Sequence, residues 1–502
     1  MNFITNKKSV ICSLFIFAFI HSFIFSQDLI QSHPSIEPLF LLEDVTDSSA
    51  NEAAVLSADE IFKFSLMFSE CTLDSEEGKL CLEQFEQIKK KVTTQEYMNL
   101  EPADRGRAVL KLLYQDFLTT YDFNQTKINV ALQTGVYNCV SSALLYTAAA
   151  KAAGLEVRGQ KTSEHAFCTV YIPGTKAGQF TKIDVETTNP YGFNPGSKET
   201  IENEDKIQGY YIVPKKYYSN RQEVSDKVFA GLIAGNLCAA YIERDDYNSA
   251  VPLGAARYEL IRQEQSKPAT QVRRDFDVLA SNYVNVKAQD AQAFLEILDW
   301  FTTFIDRWGM TDYLQKNMDN SFNNLLVYCF DEKNYELAVL AYEKDQKYLT
   351  KNQDAKVADF LTDILVTSKI SEDQPAEEQI AVIEELLNEN TFEPAQEKRV
   401  LVYLENAWLS ILNVCMSERT YGTGYQKSCD ALERLPDSVK IKKMQKSFYD
   451  NCIAIIHNNF AKQANAGYLD DARRVLEAGM QVFPDDKTLN ADMATLNRME
   501  KR

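Results

Sequence analysis

Between Tyr137 and Thr188 the sequence changes period, and this change constrains the fold more than any other feature of the chain. The run "YNCVSSALLYTAAAKAAG" (137–154) reads as a buried helix, with Asn138 as its N-cap, Cys139 as its first helical residue and Gly154 as its stop. The stretch that follows, "LEVRGQKTSEHAFCTVYIPGTKAGQFTKIDVETT", alternates instead, with turn residues in "PGTKAG" between two strand-like runs. A helix followed by a β-hairpin therefore interrupts a chain that reads as helical elsewhere, and the fold class is α+β.

The flanks are helical. Ile61, Phe64 and Phe68, then Leu82, Phe85 and Ile88, recur at helical spacing and predict two amphipathic helices. "EPADRGRAVLKLLYQDFLTTY" predicts a third, starting after Pro102. After the hairpin, "NPYGFNPG" reads as an irregular loop and "GYYIVPKKYY" as a further strand or chain crossing. From about Glu223 onward the chain reads as helices joined by short polar loops.

Three segments of that second half resemble one another: "NLCAAYIERDDYNSAVPL", "NNLLVYCFDEKNYELAVLAYEK" and "HNNFAKQANAGYLDDARRVLEAGMQVFPDD". Each has an apolar helix, a polar turn, then Tyr247, Tyr335 or Leu469 followed by Ala250, Ala338 or Ala472 at the start of a second helix. This resembles the tetratricopeptide repeat, in which small residues let two helices pack closely, but the copies are not spaced at its usual ~34-residue period.

At 502 residues the chain is too long for one core, so two or more domains are expected. Hydrophobic residues at 45% and charged residues at 25% fit an ordinary globular protein. "MNFITNKKSVICSLFIFAFIHSFIFSQ" has the basic start, apolar middle and polar end of a secretory signal, which predicts an exported protein, periplasmic or extracellular. If Ile24 blocks cleavage, the chain stays anchored in the membrane by its N-terminus. No later run carries about 18 consecutive apolar residues. The expected organisation is a signal at 1–26, a linker at 27–57, an α+β domain with its N-terminal helices at 58–215, and a helical repeat region at 223–502.

The formal charge is −19, and no Lys/Arg cluster interrupts the acidity, which argues against a nucleic-acid partner. Nine of the ten cysteines lie beyond the signal, an odd number. In an oxidising compartment Cys71 and Cys81 are the best-placed pair, on two helix ends joined by a short polar loop; two unrelated buried thiols is the equal alternative.

Only four histidines occur, so His165 is informative. It opens "HAFCTVYI", and the next strand carries Asp184. If the hairpin pairs Val170 with Gln179, His165 faces Asp184 on the same face at about 5 Å. A thiolate is favoured at a helix N-terminus, where Cys139 lies. A histidine can take its proton, and a carboxylate can hold the imidazole tautomer. Taken singly, a cysteine on an apolar helix is usually core and a strand histidine usually structural.

Cysteine, histidine and aspartate in that order, on a helix and then a hairpin, resemble the transglutaminase-like superfamily of papain-type cysteine enzymes. The residues carrying the resemblance are "GVYNCVSSALLYTAAAKAAGLEVR", "SEHAFCTVYI" and "KIDVETT", within roughly residues 95–215. It implies an N-terminal papain-type domain whose helix carries the Cys and whose antiparallel sheet carries His and Asp, ahead of an all-α tetratricopeptide-like region. It also implies acyl transfer or hydrolysis on a protein or peptide amide, with Cys139 as nucleophile, His165 as base and acid, and Asp184 as orienting carboxylate. Gln133, six residues ahead of the cysteine, is the implied oxyanion donor beside the Cys139 N–H, with Tyr137 as the alternative. The superfamily also includes members that kept the fold and lost the chemistry, so a scaffold that binds protein partners on its repeats is the competing expectation.

Cys168 should point to the opposite face and be buried, and a disulfide to Cys139 would silence the site. Glu164 and Glu186 either tune the site or face water, with water favoured for Glu164. The His and Cys spacings suit no metal, and no Gly-rich phosphate loop occurs, so no cofactor is expected.

Overall fold

The computed structural model describes residues 33–45, 55–176, 178–203, 206, 220–371 and 373–501. The expected signal at 1–26, the polar part of the linker at 46–54 and the segment "GYYIVPKKYY" lie outside them. The architecture is α+β, mostly helical, with a four-stranded antiparallel sheet and a two-residue parallel pair.

Four helices precede the sheet: α1 (Ala58–Phe68), α2 (Glu76–Val92), α3 (Gln95–Met98) and α4 (Pro102–Asp116). Ser57 and Ser75 cap the first two, each accepting a backbone N–H three residues on. Ile61, Phe64, Phe68, Phe85 and Ile88 are all buried, so the helical spacing does mark the inward faces. Strand β1 (Thr120–Tyr121) pairs in parallel with β2 (Val136–Tyr137), bracketing α5 (Ile128–Thr134). β2 leads into α6 (Cys139–Ala152).

Every residue of α6 from Cys139 to Ala150 is buried. The first charge on this helix is Lys151, which bonds Asp226 at 2.5 Å and the Leu56 carbonyl at 2.9 Å. An apolar, alanine-rich sequence can be covered on every side because its small side chains admit close neighbours and leave no polar group unpaired.

The sheet is formed by β3 (Glu156–Lys161), β4 (Ala166–Pro173), β5 (Phe180–Val185) and β6 (Gln222–Val224), in the order β5-β4-β3-β6. "LEVRGQK" is thus a strand in its own right, and His165 ends the turn between β3 and β4 instead of opening a strand. Cys168 points at α6, its thiol bonding the Ala143 carbonyl and the Thr147 hydroxyl.

Beyond the sheet come α7 (Lys198–Glu202), α8 (Asp226–Ala230), α9 (Leu232–Ile242), α10 (Tyr247–Ile261), α11 (Lys267–Val284), α12 (Ala291–Trp308), α13 (Asp312–Asp331) and α14 (Tyr335–Asp345). They are followed by α15 (Lys351–Lys369), α16 (Ala376–Glu389), α17 (Pro394–Ser417), α18 (Tyr421–Arg434), α19 (Val439–Asn465), α20 (Leu469–Val482) and α21 (Lys487–Met499). The three similar segments form the pairs α9–α10, α13–α14 and α19–α20, joined by one kind of corner. Asp245, Lys333 and Gly467 have φ of 57°, 56° and 81°, and the next residue's N–H reaches back to Tyr241, Cys329 or Gln463.

The α17–α18 junction repeats this corner, with Arg419 at φ 61° and the Thr420 N–H bonded to the Cys415 carbonyl. Here Gly424 takes the place of the small alanine, because a Cβ would stand 2.4 Å from the Phe448 ring. The substitution hid this copy from the sequence comparison.

One further finding differs from the sequence reading. Residues 33–45, expected in a linker, are packed onto the helices: the Pro34 carbonyl accepts from Trp300 Nε1 at 2.7 Å, the Leu39 N–H donates to Pro252 at 2.8 Å, and Phe40 is buried against Phe68. Prolines and polar neighbours concealed that apolar anchor. Among the described residues α17 alone is long and apolar enough to cross a membrane, with a mean hydropathy of 1.3, though its Arg399 pairs with Asp363 on α15.

Candidate active site

Asn138 locks the start of α6. Its Oδ1 accepts the Val140 and Ser141 N–H groups at 2.9 and 3.1 Å, and Ser141 Oγ accepts the Asn138 N–H at 3.0 Å. The Cys139 N–H is not among the groups this cap satisfies. The thiol therefore sits at the positive end of a rigid helix, where an anion is favoured.

The turn after β3 brings His165 to that thiol. Its carbonyl accepts from the Thr162 N–H at 2.8 Å, fixing the turn, and its ring stacks on Phe167 with centroids 6.0 Å apart. The imidazole lies beside the Cys139 thiol, near enough for that thiol to act on its charge. Nε2 lies 2.8 Å from Glu186 Oε2, which leaves Nδ1 to serve the sulfur. Burial of the ring opposes its charge, but the neighbouring Cys139 and Glu186 groups outweigh burial and push the His165 pKa up to about 10.

Glu186 is held in turn. Its Oε1 accepts the Thr188 N–H and hydroxyl at 3.1 and 2.8 Å. Tyr114 donates to the Thr187 carbonyl at 2.7 Å, Tyr137 to the Thr188 carbonyl at 3.0 Å, and Ser142 Oγ lies 2.9 Å from Thr187 Oγ1. The loop closes with the Glu186 N–H bonded to the Gly192 carbonyl at 2.8 Å, and a Cβ on Gly192 would stand 1.8 Å from the Glu186 carbonyl oxygen. Residues from α4, β2 and α6 thus fix one short loop, and that loop aims one carboxylate.

Asp184 is not that carboxylate. The hairpin turns later than expected, pairing Pro173 with Phe180 and Thr169 with Asp184. Asp184 accepts from the Thr169 hydroxyl at 2.8 Å and pairs with Arg221. Glu186 lies two residues on, at the same parity, so the alternation that suggested Asp184 also contains the group that reaches the ring.

Gln133 is also elsewhere, donating to Glu77 at 3.0 Å with Cys81 Sγ 3.9 Å away. α5 turns it toward α2. The Tyr137 hydroxyl is engaged by Tyr114 and the Thr188 carbonyl. Glu164 is exposed. Cys139 and Cys168 are both free thiols, and Cys71 and Cys81, neighbours in the fold, are also free. Burial pushes the Cys81 thiol up to about 11. Among the described residues no three His, Cys, Asp or Glu side chains are grouped to hold a metal.

The site is closely covered: Cys139 is 8% exposed, His165 6% and Glu186 3%. Chemically, the arrangement sets a thiol beside an imidazole that is itself hydrogen-bonded to a buried carboxylate. Sequence reasoning offered Glu186 as a group that tunes the site or faces water, without placing it on the His165 ring, and missed Thr188 and Tyr114.

No family model and no curated protein matches the sequence. Among solved structures, a crystal structure of menin, described for its binding site for the Mixed Lineage Leukemia protein, aligns over 81% of this chain and 94% of its own. The TM-score is 0.32 and the identity 13%, too distant to carry an argument about fold or function.

Proposed function

We propose that this chain is an exported, transglutaminase-like cysteine enzyme that performs acyl transfer or hydrolysis on a protein or peptide amide, its tetratricopeptide-like helix pairs binding substrate or partner. The observation that carries the reading is the line from the Cys139 thiol at a helix start, through His165, to the buried Glu186 carboxylate. Cys139 gives its thiol proton to His165, and the sulfur attacks the amide carbonyl while the helix start, with the Cys139 N–H, faces the developing oxyanion. His165 then gives its proton to the leaving amine, and a thioester remains. Water or a second amine, deprotonated by His165, releases the acyl group and restores the thiol. Glu186 keeps the imidazolium oriented throughout and takes the role first assigned to Asp184.

A covalent test separates this reading from its rival. A small thiol-directed electrophile should label Cys139 in the purified protein, and Cys139→Ala should remove that label with the fold intact. Undiminished labelling of the variant would take Cys139 out of the mechanism. The second reading, a catalytically silent scaffold that binds partners on its helices, is favoured by the low exposure of the thiol. It requires that no adduct form at Cys139 and that partner binding survive His165→Ala.

A further inference from the structure

On the far side of the β3–β4 turn, β3 meets α9, α10 and α11 around a cavity of about 380 Å³, within the range of small-molecule sites. Most of its wall is apolar, including Leu232, Phe276 and Leu279, but Lys161 and Arg257 converge on it. Arg257 is 7% exposed, and its Nε is buried with no hydrogen-bond partner among the described residues. Gly231 and Gly235, four apart on one helical face, leave the trough in which its side chain lies, and a Cβ on Gly235 would come within 3.1 Å of the guanidinium carbon.

The charges do not balance. Arg257 Nη1 bonds Asp275 at 3.1 Å, and that carboxylate is partly exposed. Lys161 forms no ion pair among the described residues. Burial, and then the nearby Arg257 charge, hold its ammonium below the ordinary lysine value, with Asp275 opposing. Two cations against one carboxylate leave the cavity one positive charge in excess, and an uncompensated charge is costly in a folded protein. An occupant that balances this excess carries a single negative charge and an apolar body. A dianion would overshoot the excess, and a neutral apolar molecule would leave Arg257 and Lys161 as they are.

We propose that this cavity is a binding site for a small organic monocarboxylate, its carboxylate paired with Arg257 and Lys161 and its apolar body set against Leu232, Phe276 and Leu279. The site is distinct from Cys139 and does not depend on the acyl-transfer reading.

Calorimetric titration of the purified protein with hydrocinnamate, its uncharged amide and inorganic phosphate tests the assignment. Hydrocinnamate should bind saturably at one site, and the amide and phosphate each at least roughly tenfold more weakly, the difference expected of charge-assisted pairing to a carboxylate. Lys161→Gln, at a partly exposed position, should weaken hydrocinnamate by roughly fivefold or more. Arg257→Gln should do more, and if that variant fails to fold Lys161→Gln still decides. The proposal is overturned if hydrocinnamate gives no saturable binding, if the amide binds as well, if phosphate binds better, or if Lys161→Gln binds hydrocinnamate unchanged.

Discussion

Helices α6 and α20 are each 14 residues long and solve opposite problems. α6 is buried from Cys139 to Ala150, whereas α20 buries only Ala472, Leu476 and Gly479. One is a hub whose every side chain is fixed by neighbours, and the other is a stripe laid on the next helix. The difference extends to their thiols. Cys139 and Cys452, which lies on the partner of α20, are equally exposed at 8%, yet only Cys139 has an imidazole beside it. Burial alone acts on Cys452, pushing its thiol up. At equal exposure the two thiols differ in their surroundings: the hub sets Cys139 against an imidazole, and Cys452 meets burial alone.

The largest effect should appear in the thiols. At neutral pH a small alkylating reagent should modify Cys139 about a hundredfold faster than Cys452, the difference between a paired and an isolated buried thiol. Cys139→Ala should lower any acyl-transfer turnover by about a thousandfold or more. Equal alkylation rates, read by mass spectrometry, would erase the distinction between the two environments. Next, Glu186→Gln should slow Cys139 alkylation by about tenfold to a hundredfold, while Asp184→Asn changes it by less than about twofold. The reverse order would return the orienting role to Asp184.

Packing gives a third contrast. Ala149→Leu should destabilise the protein by about 1–3 kcal/mol, because nothing around α6 can yield. Ala478→Leu, on the exposed side of α20, should stay within about 0.5 kcal/mol. Urea midpoints at constant slope measure both. The last contrast is in pH. A His165 pKa raised in the fold from 6.5 to about 10 favours the folded state fully below pH 6.5, and that contribution fades as pH rises toward 10. Stability should fall across this window by less than about 1.4 kcal/mol per pH unit, and His165→Gln should flatten the slope. An identical slope in the variant would mean that the imidazole is not held charged.

The sequence was most legible where local rules decide the structure. Asn138 and Gly154 bound α6 in the structure as they do in the pattern, since capping and left-handed stops need only near neighbours. Tyr247, Tyr335 and Leu469 begin helices for the same reason. Legibility failed where a turn sets a register. Alternation gives the faces of β4 and β5 but not how far one slides along the other, and a shift there exchanged Asp184 for Glu186. Gln133 failed differently, because a count of residues to the cysteine does not fix the direction in which α5 leaves Thr134. The packing of residues 33–45 depends on Trp300 and Pro252, far along the chain, and no local pattern contains that contact.

The loop behind Glu186 leaves a mark that a text search can use. Because the Glu186 carbonyl fills the space where a side chain at position 192 would begin, any chain that builds this loop in this way carries a glycine six residues after its acid. A pattern of Asn-Cys, a later histidine, then glutamate, threonine and threonine with glycine at that fixed offset is independent of overall identity. It offers a way to collect relatives of a sequence that no family model matches, and to ask whether acid, glycine and cysteine are gained and lost together.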